Sequence, residues 1–215
     1  MTVGFQIFLA DGTTVQADDT YRNLSVNEQG TATTTTATNA GASVSTFVIF
    51  YRTGLTMPLL AVGGTGFAVG QQWFDAANNR WGFMITAAGG IGTLVPFYIF
   101  DVPFATDPHF GLQVFNAAGQ KTFDIMQKYM RVNDMYTSGV SSIVNKSYDA
   151  SRVYACIHMI TGFRISAIAG NTQLLATRVS AGTVISQGVI VDGAQGISTV
   201  NESSATILVA DVTFY

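Results

Sequence analysis

Residues 111–119, GLQVFNAAG, nearly repeat residues 4–12, GFQIFLADG, at an offset of 107 positions. The ends of the two halves also match, because FDVPF at residues 100–104 returns as ADVTF at residues 210–214. A repeat of this length is too long for a solenoid and has the size of a small domain. The sequence therefore predicts two tandem domains of one fold, residues 1–106 and residues 107–215, related by internal duplication.

The repeated opening has the alternation of a β-strand. In residues 3–9 the apolar side chains at odd-numbered positions share one face, and residues 110–115 alternate in the same manner. A period of two indicates a strand, and Gly12 and Gly119 allow a tight turn after it. We expect residues 15–17 and 122–125 to return as the partner strands of two hairpins.

The rest of the chain is also typical of β-structure. Turn residues recur about every 8–12 positions, which is the spacing of a sandwich or barrel, and no long amphipathic helix stands out. The Thr-rich residues 31–46 predict an edge strand rather than a flexible linker, since β-branched Thr favours extended backbone. Further predicted strands, rich in Val, Ile, Phe, Tyr and Thr, lie at residues 43–51, 59–62, 81–86, 93–101, 152–160, 163–168, 183–191 and 206–214.

Composition favours a protein that assembles with others. Charged residues make up 11% of the chain, well below the usual ~25%, while 48% of the residues are hydrophobic and 12% are aromatic. A surface with few charges resists association poorly and can be buried against a partner. We expect a homo-oligomer, with a trimer as the first candidate, or a place in a larger complex.

Two classes of partner are disfavoured. The ten Lys and Arg residues are scattered and the net charge is −3, whereas binding of nucleic acid needs clustered positive charge. Residues 53–74 and 81–100 carry no charge and are long enough to span a bilayer. Both contain several glycines, however, and are better interpreted as strand, turn and strand, so we expect no membrane insertion.

Little in the sequence points to catalysis. Cys156 lies in an apolar run typical of a core position, His158 is interpreted as a satisfied core histidine, and His109 falls between the repeats. Neither histidine has metal ligands at a suitable spacing. A carboxylate pair for glycoside hydrolysis has no support from spacing, although Asp75, Asp101, Asp124 and Asp192 are available. We expect no enzyme activity, cofactor or metal.

One local cluster is a candidate binding site. Residues 73–81, WFDAANNRW, hold both tryptophans around a turn-forming centre. If this stretch is a hairpin, the two indoles can approach each other across its strands. Aromatic rings beside amide, carboxylate and guanidinium groups can bind a sugar or anchor a protein interface, while the alternative is an aromatic pair in the core. The candidate residues are Trp73, Asp75, Asn78, Asn79, Arg80 and Trp81.

The phrase at residues 111–119, followed by Phe123-Asp124, resembles the opening of small virion proteins from the tail tip or baseplate of tailed bacteriophages. Residues 4–12 fit less closely, with Leu9 where Asn116 stands. The resemblance covers about fifteen residues per copy and implies no catalytic residues. What it implies is a structural or host-contact role.

Together these observations predict an all-β protein of two tandem β-sandwich domains that is a structural component of a phage tail tip or baseplate. Its expected partners are other tail proteins, and its expected location is the virion, after assembly in the host cytoplasm. The alternative is a receptor-binding module that contacts a glycan or pilus on the host surface.

Overall fold

The computed structural model describes residues 6–8, 15–18, 23–41, 43–104, 111–166, 171–193 and 201–215, and these contain strands and turns but no helix. The predicted all-β fold is confirmed. The strands of the first half are β1 (Gln6–Phe8), β2 (Val15–Asp18), β3 (Ser25–Thr33), β4 (Thr36–Ala37), β5 (Ser45–Arg52), β6 (Leu59–Val62), β7 (Ala68–Asp75), β8 (Arg80–Ala88) and β9 (Leu94–Asp101). Those of the second half are β10 (Gln113–Phe115), β11 (Lys121–Asp124), β12 (Arg131–Gly139), β13 (Val144–Ser147), β14 (Tyr154–Ile160), β15 (Phe163–Ser166), β16 (Asn171–Ser180), β17 (Thr183–Gly193), β18 (Asn201–Glu202) and β19 (Ser204–Asp211).

Two large antiparallel sheets form a sandwich. One has six strands in the order β12-β19-β14-β6-β9-β3, and the other runs β13-β17-β16-β7-β8-β5-β4 with β15 and β18 attached beside β16. Apolar side chains from both sheets meet between them. In one core cluster Phe83 and Ile85 of β8 pack with Ile99 of β9, and in another Leu175 of β16 packs with Ile207 of β19.

Both opening hairpins are present, as expected. In β1–β2 Gln6 lies opposite Asp18, and in β10–β11 Gln113 lies opposite Asp124. Each hairpin has an irregularity in register at the same step, between Ile7 and Phe8 and between Val114 and Phe115. The remaining residues of the first repeat, including Leu9 and Gly12, lie outside the described part of the chain.

The larger strands of the two halves also pair alike. Ser25 of β3 lies opposite Asp101, and Arg131 of β12 lies opposite Asp211; a register shift follows two residues later in both pairs. The order of the six-stranded sheet consequently reads as two equivalent sets of three strands that meet in the middle. This shared pattern is what a duplication would leave, and the duplication itself stays an inference.

The halves are joined more closely than the sequence predicts. Ala61 of β6 lies opposite Ile157 of β14, and Ala68 of β7 lies opposite Thr177 of β16, so both sheets run through both halves. Ala61 and Ile157 are buried at this junction, because burial of apolar edges favours pairing over exposure. The structure thus has shared sheets where we expected one sandwich per half. The proposed boundary at residues 106 and 107 lies outside the described residues and stays a prediction.

The Thr-rich segment crosses from one sheet to the other. Its first residues end β3, and Thr36–Ala37 form β4, an edge strand as expected. At the crossing the buried Thr46 hydroxyl donates to Thr34 Oγ1 at 2.8 Å and lies 3.1 Å from the carbonyl oxygen of Gly90. The threonines therefore supply hydrogen bonds to a buried bend as well as extended backbone.

The repeated Asp-Val-x-Phe element closes the last strand of each half. The buried Asp101 accepts hydrogen bonds from the backbone N–H groups of Thr56 and Met57 at 2.8 and 2.7 Å. The buried Asp211 accepts from the N–H of Thr213 at 2.9 Å and from Arg152. Both carboxylates hold neighbouring chain segments in place, which explains their recurrence as a structural requirement.

Candidate binding face on the nine-stranded sheet

The tryptophan-containing stretch forms the hairpin β7–β8. Asp75 lies opposite Arg80, and the loop between them includes Asn79 at a φ of 47°, in the left-handed region that Asn tolerates. In this register Trp73 lies opposite Gly82 and Phe74 lies opposite Trp81. The two tryptophans therefore occupy opposite faces of the sheet, and the expectation that they approach each other is wrong.

Trp73 lies on the outer face, which points away from the six-stranded sheet. Its indole covers Gly82, where an added Cβ would come within 2.3 Å of Cε2 and 2.4 Å of Cζ2. Tyr51 of β5 lies opposite Gly82 on the other side, and its ring meets the indole edge-on at a centroid distance of 6.1 Å. Trp73 remains 37% exposed and Tyr51 40% exposed. We call Tyr51, Gly82 and Trp73 the aromatic row.

A polar group borders the aromatic row toward the hairpin turn. Arg80 donates from Nε to Asp75 Oδ2 at 2.9 Å, and Asn78 donates from Nδ2 to the same oxygen at 2.9 Å. These bonds, from Asn78 first and then Arg80, lower the pKa of Asp75 below its ordinary value. The Arg80 guanidinium also stacks on Tyr51, 3.8 Å from the ring centre. Of the predicted site residues, Trp73, Asp75, Asn78 and Arg80 thus share one face.

Trp81 belongs to the interior instead. It is half-buried against the first-half core cluster, and its ring lies 5.4 Å from that of Phe74. Asn79 contributes its left-handed backbone conformation to the turn. The sequence pattern alone does not single out Tyr51 and Gly82, although a glycine beside Trp81 in a predicted hairpin is a signal for a close approach of another group.

Two of the carboxylates considered for catalysis make structural contacts. Asp124 is buried in the β10–β11 hairpin and forms an ion pair with Lys121 at 2.8 Å, while Asp101 binds backbone amides. Within the described ranges no cluster of three or more His, Cys, Asp and Glu side chains is arranged to hold a metal ion. The linker residue His109 lies outside these ranges.

Cys156 and His158 are both core residues. Burial raises the pKa of the Cys156 thiol to about 12, so it is protonated and unreactive at neutral pH. His158 Nδ1 accepts the backbone N–H of Gly70 and Nε2 contacts the Thr177 hydroxyl, both at 3.5 Å. Burial lowers the pKa of His158 to about 4. A cavity of about 330 Å³ adjoins this imidazole, but the ring nitrogens serve neighbouring strands.

Comparison of the chain with protein-family models, curated proteins and solved structures finds no match. In the part of the chain that the structure describes, no helix is long and apolar enough to cross a lipid bilayer.

Proposed function

We propose that this protein is a non-enzymatic structural component of a bacteriophage tail tip or baseplate and acts through protein–protein assembly. The observation that carries this proposal is the exposed edge strand β12. It ends the six-stranded sheet and displays Val132, 54% exposed, and Met135, 64% exposed. Long edge strands with apolar side chains pair readily with another chain unless charges protect them.

The corresponding edge strand of the first half, β3, shows a less apolar surface. Gln29 of β3 occupies the register position of Met135, since Gln29 lies opposite Tyr98 and Met135 opposite Leu208 in equivalent pairs. Val26, the counterpart of Val132, is partly buried against the cluster that contains Phe100. Both strands carry an acidic residue at equivalent positions, Asp134 and Glu28, but only β12 displays large exposed apolar side chains, which favours a directional contact through β12.

The phage assignment is supported by the resemblance of residues 111–119 to tail-tip proteins and by the low charge of the chain. Exposed apolar side chains beyond β12 add to this support, among them Ile125, Met126, Ile143, Ile160 and Phe214. Such surfaces suit a subunit that neighbours surround in a virion, with a homotrimer as the expected core assembly.

Two measurements test the proposal. Mass spectrometry and a reconstruction of purified particles should find the protein in the tail, with β12 at an interface of at least about 1,000 Å² in total. Light scattering should show an oligomer that Met135→Lys dissociates and the matched Gln29→Lys does not. A monomeric native protein that is also absent from purified particles would overturn the proposal.

A further inference from the structure

We propose that the outer face of β5, β7 and β8 is a carbohydrate-binding platform, on which a neutral pyranose ring stacks against Trp73. The hydroxyl groups of the sugar would bind Asp75, Asn78 and Arg80 along the border of the aromatic row. This site is independent of the proposed assembly through β12, because β12 belongs to the other sheet.

The indole is fixed before any ligand arrives. Gly82 gives it space to lie against the sheet, since any larger residue would place a Cβ 2.3 Å from Cε2. Tyr51 supports it from the side, with the two ring planes at 86°. A binding group that is already immobilised loses little conformational entropy when a ligand binds.

The ring faces are available to different degrees. Arg80 already covers Tyr51 at 3.8 Å from the ring centre, whereas Trp73 contacts the backbone at Gly82 and is 37% exposed. The negative face of an aromatic ring attracts positively polarised hydrogens, and the C–H groups on one side of a pyranose provide them. Trp73 is therefore the stacking surface.

The polar border complements hydroxyl groups. The Asp75 carboxylate accepts, the Arg80 guanidinium donates, and the Asn78 amide does both. Both side-chain bonds within the hairpin go to Asp75 Oδ2. Because Asp75 and Arg80 carry opposite charges, the border is neutral, which favours an uncharged sugar over a phosphate-bearing ligand that needs clustered positive charge.

The platform lies on a part of the hairpin that has no counterpart in the second half. The halves meet in this sheet where Ala68 of β7 lies opposite Thr177 of β16. From Ala68, which also pairs with Ala87, the first hairpin continues to the pair of Asp75 and Arg80. The corresponding hairpin, β16–β17, turns after Ser180 and Thr183, only three positions beyond Thr177. The second half completes its part of the sandwich without such an extension. The part of the hairpin between this junction and its turn, seven positions in β7 against three in β16, carries both tryptophans of the chain.

Fluorescence titration tests the proposal directly. Trp81→Phe leaves Trp73 as the sole tryptophan, so its emission reports on the platform. Cellohexaose, maltohexaose and chitohexaose are neutral pyranose probes, and heparin hexasaccharide is the charged comparison. We expect saturable binding of at least one neutral probe at millimolar concentration or below, with no binding of heparin; calorimetry on the native protein repeats the measurement without the substitution.

Variants locate the binding. Trp73→Ala should weaken it by about tenfold to a hundredfold, as loss of a stacking aromatic does, and Gly82→Ala should have a similar effect by displacing the indole. Phe74→Ala is the matched control, because Phe74 is exposed on the opposite face of the same strand; it should bind as the native protein does. If Gly82→Ala lowers the melting temperature, Tyr51→Ala replaces it as the variant that removes the support of the indole.

The proposal is overturned if no neutral probe binds, if heparin binds better, or if Trp73→Ala binds as tightly as the native chain. The proposal is also overturned if the native protein binds no sugar and Trp73→Ala loses self-association, since the face would then be a protein contact. Sugar binding that survives Met135→Lys keeps this site separate from the assembly role.

Discussion

The imidazole of His158 shows how one buried residue makes stability depend on pH. Its folded pKa of about 4 lies below the ordinary value of 6.5, so the folded state favours the neutral ring. The resulting stabilisation is complete above pH 6.5 and is lost as pH falls toward 4. The loss amounts to about 3 kcal/mol of unfolding free energy.

Replacement of His158 by Val tests this effect. Val62 occupies the corresponding position, since Val62 lies opposite Phe97 and His158 opposite Ile207. At pH 7 the variant should be less stable by about 1–2 kcal/mol, because the Gly70 N–H loses its acceptor. Thermal melting of both proteins should then show this deficit shrinking or reversing by pH 4. A constant deficit across that range would contradict the assignment.

Trp81 and Trp73 should respond differently to truncation. Trp81 packs against the core while Trp73 covers an exposed face. We expect Trp81→Ala to cost about 2–4 kcal/mol of unfolding free energy and Trp73→Ala less than about 1 kcal/mol. Urea denaturation measures both, and equal losses would show that the two residues do not have the roles assigned to them.

At the scale of single elements, the bend between β3 and β5 depends on buried hydroxyl groups. Thr46→Val keeps the shape of the side chain and removes its bonds near Thr34 and Gly90. We expect a loss of about 1–2 kcal/mol. Thr36→Val, on the exposed edge strand β4, is the matched control and should change unfolding free energy by less than about 0.5 kcal/mol. A Thr46→Val protein as stable as this control would disprove the role of the hydroxyls.

Prediction from the sequence worked for some elements and failed for others. Hairpins such as β10–β11 were predictable because alternation and a turn glycine are adjacent in the chain. Strands β12 and β16 were not predicted, since Asn133, Asp134 and Arg178 interrupt their apolar pattern. The candidate face was predicted only in part: the side of the sheet that Trp73 occupies depends on the register across the turn, which composition does not determine.

At the scale of the whole molecule, the junction of the halves was hidden from sequence analysis. The pairing of β6 with β14 joins residues about a hundred positions apart, and no local pattern encodes which edges meet. Leu60 lies opposite Ile99 as Cys156 lies opposite Val209. Each half therefore presents the same kind of strand to the other.

This arrangement predicts how separated halves behave. Residues 1–106 expressed alone would expose the edges of β6 and β7, and we expect them to pair with a second copy, giving a dimer. Analytical ultracentrifugation measures the mass, and mixing with residues 107–215 should convert the dimer into the complex of both halves. A stable folded monomer would instead favour the independent domains predicted from the sequence.

The position of the hairpin β7–β8 also gives the molecule a direction, because its turn lies seven positions beyond the junction of the halves. If the two halves of the chain were identical, each subunit would display the ligand-contacting surface twice, on opposite flanks. Here the equivalent position at β16–β17 ends in a short turn, so each subunit has a front and a back. In an assembly the valency for ligand would equal the copy number, and all sites of a ring could point the same way. Weak single-site binding would then add up to strong attachment to a surface that repeats the same group.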